Sequence, residues 1–349
     1  MRRSRSSPVQ SGGSESTSSW KSSASATARI LRASAARRPR TIGAVIATAD
    51  YELLRERAGL VERPPAAVFD LTGAEAAEFL QGQVTNDVEA LAPGAGCYAA
   101  LLDHKGKIRA DMRVLRLAPD RLLVVAEGQA RALLDHNFTT YSLGRQVSHL
   151  DLSDDHRVLS LIGPAARDGL DPAPGPDEHD HVTGPYGVAA ATDAGVDLIC
   201  GPNQAAAARA ELGLPEVGEE AAECLRIERG RPRLGHELDG AIPQEAGLNE
   251  RAVSFTKGCY VGQETVARLY YKGKPNRHLR GLRLSAPAEP GERVLLGERE
   301  VGTIGSACVS PVHGPIALAL IRREAEPDQE VLVGDGAHPA VVVDPPFAP

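Results

Sequence analysis

Lys257-Gly258-Cys259-Tyr260-Val261-Gly262-Gln263-Glu264 sets two glycines around a Cys–Tyr pair and ends on two helix-forming side chains. The glycines let the backbone bend sharply and approach a ligand closely. Lys257 puts a cation two residues from the Cys259 thiol, and Gln263-Glu264 open a predicted helix over 265–269. A thiol beside a cation and a helix N-terminus is shifted toward the reactive thiolate. The competing reading of these residues is a structural turn with an incidental cysteine. The other four cysteines (Cys97, Cys200, Cys224, Cys308) are scattered, with no C-x-x-C pair. That excludes a disulfide framework and a zinc site, implies a reducing compartment, and predicts buried, inert thiols at those four positions.

Outward from this stretch the periodicities define an α+β chain. Upstream, a helix is predicted over 50–60, with Asp50 as N-cap and Gly59 as stop. A strand over 67–71 follows, then a helix entered through Thr72-Gly73-Ala74-Glu75, read as a capping box. Strands over 97–102 and 108–117 flank a tight turn at 105–107. In the second, Ile108, Ala110, Met112 and Val114 share one face. A strand over 122–126 and a helix over 129–141 complete this part. Strands over 188–192 and 196–200, a helix after Pro202 and a helix over 219–229 lie beyond a Pro/Asp-rich loop at 171–181. Downstream of Pro275 six short apolar runs between Gly and Pro turns, from 281–284 to 340–343, predict a small β-barrel. The expected organisation is an extension over 1–45, a body over 46–275 and a barrel over 276–349. No internal sequence repeat is visible.

The 349 residues are 42% hydrophobic and 24% charged, with net charge -7. Residues 1–45 carry nine Lys or Arg against Glu15 alone, so everything after them is acidic. An acidic body offers no footprint for direct nucleic-acid binding, and no apolar run reaches membrane-spanning length. The Ser- and Arg-rich extension is predicted to be disordered. It reads either as a transit peptide, placing the protein in the mitochondrial matrix, or as the product of a misplaced start codon in a bacterial, cytoplasmic protein. Gly94-Ala95-Gly96-Cys97-Tyr98-Ala99 fits G-x-G-x-x-A, but a strand, not a helix, follows it, which excludes a dinucleotide fingerprint. P-loop, H-E-x-x-H and G-x-S-x-G signatures are absent.

With K-G-C-Y-x-G-Q-E in place, residues 66–345 resemble the YgfZ-type folate-binding proteins, relatives of the glycine-cleavage T-protein. The likeness includes Phe79-Leu80-Gln81-Gly82-Gln83-Val84-Thr85-Asn86-Asp87, Arg226-Ile227-Glu228-Arg229-Gly230 and Ile242-Pro243-Gln244-Glu245. It implies a T-protein-like body of antiparallel sheets with helices that holds tetrahydrofolate near its centre, plus the barrel. It also implies an accessory role in iron–sulfur cluster assembly or repair, serving tRNA-thiolation enzymes among others. Iron–sulfur proteins or their assembly machinery are the implied partners, and Cys259, with Lys257 beside it, the reactive thiol. Glu228 matches the glutamate that hydrogen-bonds the pterin, a task suited to a carboxylate facing adjacent N–H donors. Asn86, Tyr98 and Asp111 would line the same cavity. T-proteins carry G-G-I-x-D-D where this chain has Gly106-Lys107-Ile108-Arg109-Ala110-Asp111. The loss of one carboxylate at Ala110 argues against the alternative, a folate-dependent aminomethyltransferase or related demethylase.

Overall fold

The computed structural model describes residues 47–336 and 338–348, so the extension expected over 1–45 lies outside the described residues. Helix α1 (Thr48–Glu56) runs into strand β1 (Gly59–Glu62). A first unit follows: β2 (Ala66–Thr72), α2 (Ala76–Gln81), β3 (Gly96–Leu102), β4 (Ile108–Ala118), β5 (Arg121–Glu127), α3 (Arg131–Tyr141) and β6 (Ser148–Asp151). The second unit contains β7 (Arg157–Ile162), β8 (His181–Gly184), β9 (Gly187–Thr192), β10 (Gly195–Cys200) and α4 (Pro202–Glu211).

The two sheets run β3-β4-β5-β2-β6 and β8-β9-β10-β7-β1, every pairing antiparallel. Four strands of each share one topology, while the fifth follows the meander in the first sheet (β6) and precedes it in the second (β1). In each, a three-stranded meander pairs through its last strand with the strand that precedes it, and an edge strand closes the far side. The structure therefore contains a repeat that no sequence repeat announces.

Period-two alternation divides the first sheet between two environments. Ala110, Met112 and Val114 face a core with Phe69, Phe79 and Phe138. On the opposite face Val68, Leu115, Leu123 and Val125 pack against Val158, Val188, Ala190 and Ile199 of the second sheet. Asp111 and Arg113 share that inter-sheet face, and Arg113 crosses it to Asp197 at 2.7 Å.

Three helices, α5 (Glu219–Glu228), α6 (Asn249–Ala252) and α7 (Gln263–Lys272), lead to the barrel. Its strands β11 (Arg277–Leu284), β12 (Arg293–Leu296), β13 (Arg299–Ser310), β14 (Gly314–Arg322), β15 (Glu330–Val333) and β16 (His338–Val343) close in the order β11-β14-β13-β12-β15-β16. The α+β class with a small C-terminal barrel is thus the observed one.

Three local expectations are corrected. The helix predicted over 50–60 ends at Glu56, and Gly59–Glu62 pairs with β7 as an edge strand. A side chain at Gly59 would meet Val217 at 2.6 Å, so only glycine lets this strand pack. The capping box does not form: α2 starts at Ala76, and the Glu75 carboxylate accepts from the Gln146 backbone N–H instead. Helix α7 starts at Gln263, directly after Gly262 at φ +84°, and runs to Lys272. A Cβ at Gly262 would lie 2.5 Å from the Asp103 carbonyl oxygen, so this glycine seats the signature loop against the β3–β4 hairpin.

Candidate functional site

Between the two sheets lies a cavity of about 260 Å³, lined among others by Tyr98, Asp111, Glu127, Glu178, Arg233 and Arg251. Adjacent strands β3 and β4 set Tyr98 diagonally to Asp111 on the cavity face, through the pairs Tyr98–Arg113 and Ala100–Asp111. The Tyr98 hydroxyl donates to Asp111 Oδ2 at 2.6 Å, while the buried Oδ1 has no partner. Burial pushes the Asp111 carboxyl up to about 6, offset in part by the Tyr98 hydrogen bond and reinforced by Glu127. Burial also holds the Tyr98 phenol well above its ordinary value. This carboxyl therefore changes charge near neutral pH, a property of groups that move protons.

Tyr98 is fixed from two sides. The Arg251 guanidinium lies over its ring at 4.5 Å and is itself ion-paired with Glu178. Asn86 Nδ2 donates to the Tyr98 carbonyl at 2.9 Å and to the Arg251 carbonyl at 3.3 Å. Asn86 thus braces the site from behind and does not line the cavity. At the rim Arg63 meets Glu219 at 3.0 Å and Arg233 meets Glu127 at 2.8 Å. Arg226, on the same helix as Glu228, pairs with Glu223 at 2.7 Å and Glu237 at 3.4 Å.

Glu228 lines a second hollow, of about 500 Å³, that shares Thr192, Asp193, Ala194, Leu225 and Arg229 with the first. Its Oε1 accepts from Tyr51 at 2.9 Å, from Ser310 and from the Cys224 thiol at 3.6 Å, whereas Oε2 accepts from Tyr51 alone at 3.0 Å. Glu228 and Asp111 therefore occupy adjoining hollows.

The signature loop lies elsewhere. Neither Lys257 nor Cys259 lines the cavity. The buried Lys257 ammonium donates to the carbonyls of Gln81 at 2.5 Å, Val84 at 2.6 Å and Asn86 at 3.0 Å, and sits 5.1 Å from the centre of the Tyr260 ring. Its charge is consumed in holding the end of α2 and the loop after it, which removes the sequence argument that it activates the thiol. Cys259 is exposed. Cys308, expected to be buried, is half-buried.

Ala110 is fully buried in the apolar core, on the face of β4 away from the cavity. The carboxylate missing there would not have faced the site, so its loss says nothing against transfer chemistry at Asp111. Glu127, Glu178 and Arg251 were not anticipated. The alternation in β5 was the available signal for Glu127; nothing local marked the other two, which meet across 73 residues.

Two like-built sheets around an acid-bearing cavity, with a six-stranded barrel beyond, define a T-protein fold. The chain belongs to the glycine cleavage T-protein family: residues 19–200 match the GCVT N-terminal domain and residues 277–348 the glycine cleavage T-protein C-terminal barrel domain. It is 30% identical to an aminomethyltransferase of Saccharopolyspora erythraea over 328 residues, covering 86% of this chain and 89% of the relative. A second aminomethyltransferase, from Rubrobacter xylanophilus, is 29% identical over 319 residues, covering 86% and 85%. The crystal structure of the glycine cleavage system aminomethyltransferase T from Bartonella henselae shares the fold, with TM-score 0.77 at 23% identity over 86% of this chain and 89% of that one. Among the described residues no helix is long and apolar enough to cross a membrane.

Proposed function

We propose that this chain binds tetrahydrofolate across the two adjoining hollows and transfers a one-carbon unit, as an aminomethyltransferase-type protein, at Asp111. The observation that carries the proposal is the buried Asp111 carboxylate on the cavity wall, held by Tyr98 on one oxygen and without a partner on the other. The cavity fits such a ligand in three respects. Asp111 Oδ1 and Arg113 Nη1 are buried without partners, an acceptor and a donor awaiting polar atoms. An elongated molecule would reach both Asp111 and the less occupied oxygen of Glu228. Arg229, which lines both hollows, suits an anionic tail.

Bound tetrahydrofolate supplies an amine nitrogen able to take up the one-carbon unit. Asp111 holds or accepts the proton at that nitrogen, and its pKa near 6 lets it do so near neutral pH. Arg251 and Asn86 keep Tyr98, and through it the carboxylate, in place. Titration with tetrahydrofolate, followed by single-turnover transfer from an aminomethylated lipoyl protein, tests this reading. Absence of both binding and transfer would overturn it.

A second reading, support of iron–sulfur enzymes, is favoured by one observation: the K-G-C-Y-V-G-Q-E loop presents an exposed cysteine outside the cavity. The readings separate genetically. Loss of iron–sulfur enzyme activity in cells carrying Cys259→Ser, but not Asp111→Asn, would favour the second; intact iron–sulfur enzymes in both, with transfer lost in Asp111→Asn alone, would favour the first.

A further inference from the structure

Cys224 and Cys308 lie 84 residues apart in sequence, yet their sulfurs are 3.4 Å apart. Cys224 points from α5, and Cys308 sits on β13 opposite Ile316. The Cys308 thiol donates to Cys224 Sγ, and the Cys224 thiol donates to Glu228 Oε1 at 3.6 Å, one helical turn further along α5. Cys224 is fully buried, while Cys308 reaches solvent. Neither thiol takes part in the chemistry proposed above.

We propose that Cys224 and Cys308 form a dithiol site that a hydroperoxide oxidises to a disulfide, tying helix α5 to the barrel. The sulfur of Cys308, the less buried of the two residues, attacks the peroxide oxygen. One O–O bond breaks, Cys308 becomes a sulfenic acid, and one water (or alcohol) departs. The Cys224 sulfur then attacks the Cys308 sulfur, its proton passes by way of Glu228 to the leaving hydroxyl, and a second water leaves. Two thiols lose two hydrogens and two electrons in total, and the hydroperoxide takes up both. A disulfide needs its sulfurs at about 2.05 Å, so they must close by about 1.4 Å, within the reach of side-chain rotation and a small strand shift. Strand β13 already carries a register shift between Ile304 and Ser306, just before the site.

This geometry distinguishes the pair from the other thiols. Burial pushes Cys97 up to about 12 and Cys200 up to about 11, and Cys259 stands on a different loop. The adjoining Cys308 sulfur, burial and the nearby Glu228 carboxylate together hold the Cys224 thiol well above the ordinary range. That assigns the first oxidation to Cys308 and the resolving role to Cys224.

The test uses the full chain carrying Cys259→Ser, so that intermolecular bridges through that position cannot form. The folded, reduced protein is exposed to hydrogen peroxide, digested without reductant and analysed by mass spectrometry. A Cys224–Cys308 linked peptide lacking two hydrogens, restored by dithiothreitol, is the expected product. Closing so long a loop should raise the melting temperature by ~5–10 °C relative to the reduced form. Cys224→Ser should stop the reaction at a sulfenic acid on Cys308 that dimedone traps. Cys308→Ser should leave Cys224 unmodified. Two free thiols after peroxide treatment of the folded protein, or a cross-link that appears only after denaturation, would overturn the proposal.

Discussion

Replacing Asp111 by Asn separates what this carboxyl does for chemistry from what it costs the fold. The side chain is 8% exposed, and its pKa is raised from 3.8 to about 6, chiefly by burial. A group whose folded-state pKa lies above its unfolded value contributes stability that is fully present below the unfolded pKa. That stability is lost as pH rises through the folded pKa. For Asp111 the window runs from about pH 4 to pH 6, and a shift of this size corresponds to about 3 kcal/mol. At pH 7.5 the wild type therefore carries a buried charge that Asn does not. Part of the gain is offset, because the new amide N–H would replace an unpartnered oxygen with an unpartnered donor. We expect Asp111→Asn to unfold at higher urea than wild type at pH 7.5, by about 1–3 kcal/mol, and to lose that advantage at pH 4. Transfer should fall by about 10²–10⁴-fold, the usual contribution of a positioned proton carrier. Paired urea melts at the two pH values, with single-turnover transfer at pH 7.5, measure both. A variant that is no more stable at pH 7.5 and transfers at a rate within threefold of wild type would refute both the burial and the assignment.

Other substitutions probe the remaining groups. Glu228→Gln keeps the volume and one acceptor oxygen. It should weaken tetrahydrofolate by about 10- to 150-fold if a charge-assisted bond to the ligand is lost, read by fluorescence titration; unchanged affinity would restrict Glu228 to its bonds with Tyr51 and Ser310. Lys257→Met strands three buried carbonyls and should destabilise the chain by about 2–4 kcal/mol in urea, whereas a change within 0.5 kcal/mol, about the effect of an ordinary surface substitution, would contradict the caged ammonium. Cys259 should be alkylated before the other four thiols at neutral pH because it is exposed, and Cys259→Ser should leave melting and folate affinity unaltered. Mapping of the first labelled peptide to any other cysteine would refute this.

The sequence made the barrel legible because its strands are short apolar runs between Gly and Pro turns, and the observed strands fall on those runs. It also made β3, β4 and β5 legible, since alternation at Ile108, Ala110, Met112 and Val114 follows the buried face. Strand β1 escaped because Gly59, Leu60 and Val61 prolong the apolar spacing of α1, and only pairing with β7 shows that they are extended. Strand β6, Ser148–Asp151, contains one large aliphatic residue, Leu150, and that side chain is exposed. The site was half legible. Tyr98 and Asp111 were reached through resemblance and lie together, whereas Arg251 and Glu178 meet only through tertiary folding. Lys257 shows the opposite error: closeness in sequence to Cys259 suggested electrostatic activation, but the two side chains part, one inward to three carbonyls and the other outward to solvent.

The pairing of β1 with β7 has a consequence for synthesis. Gly59 is matched with Ile162, about a hundred residues later, and Leu60 and Val61 are almost wholly buried only when that partner exists. A ribosome adding 5–20 residues per second needs about 5–20 s to make the intervening chain. For that interval the emerging polypeptide displays an unpaired, apolar edge ahead of a unit whose own sheet can already form. A nascent chain of this kind is a natural client for a chaperone that shields extended apolar segments, and slowing translation before residue 162 should lengthen that dependence.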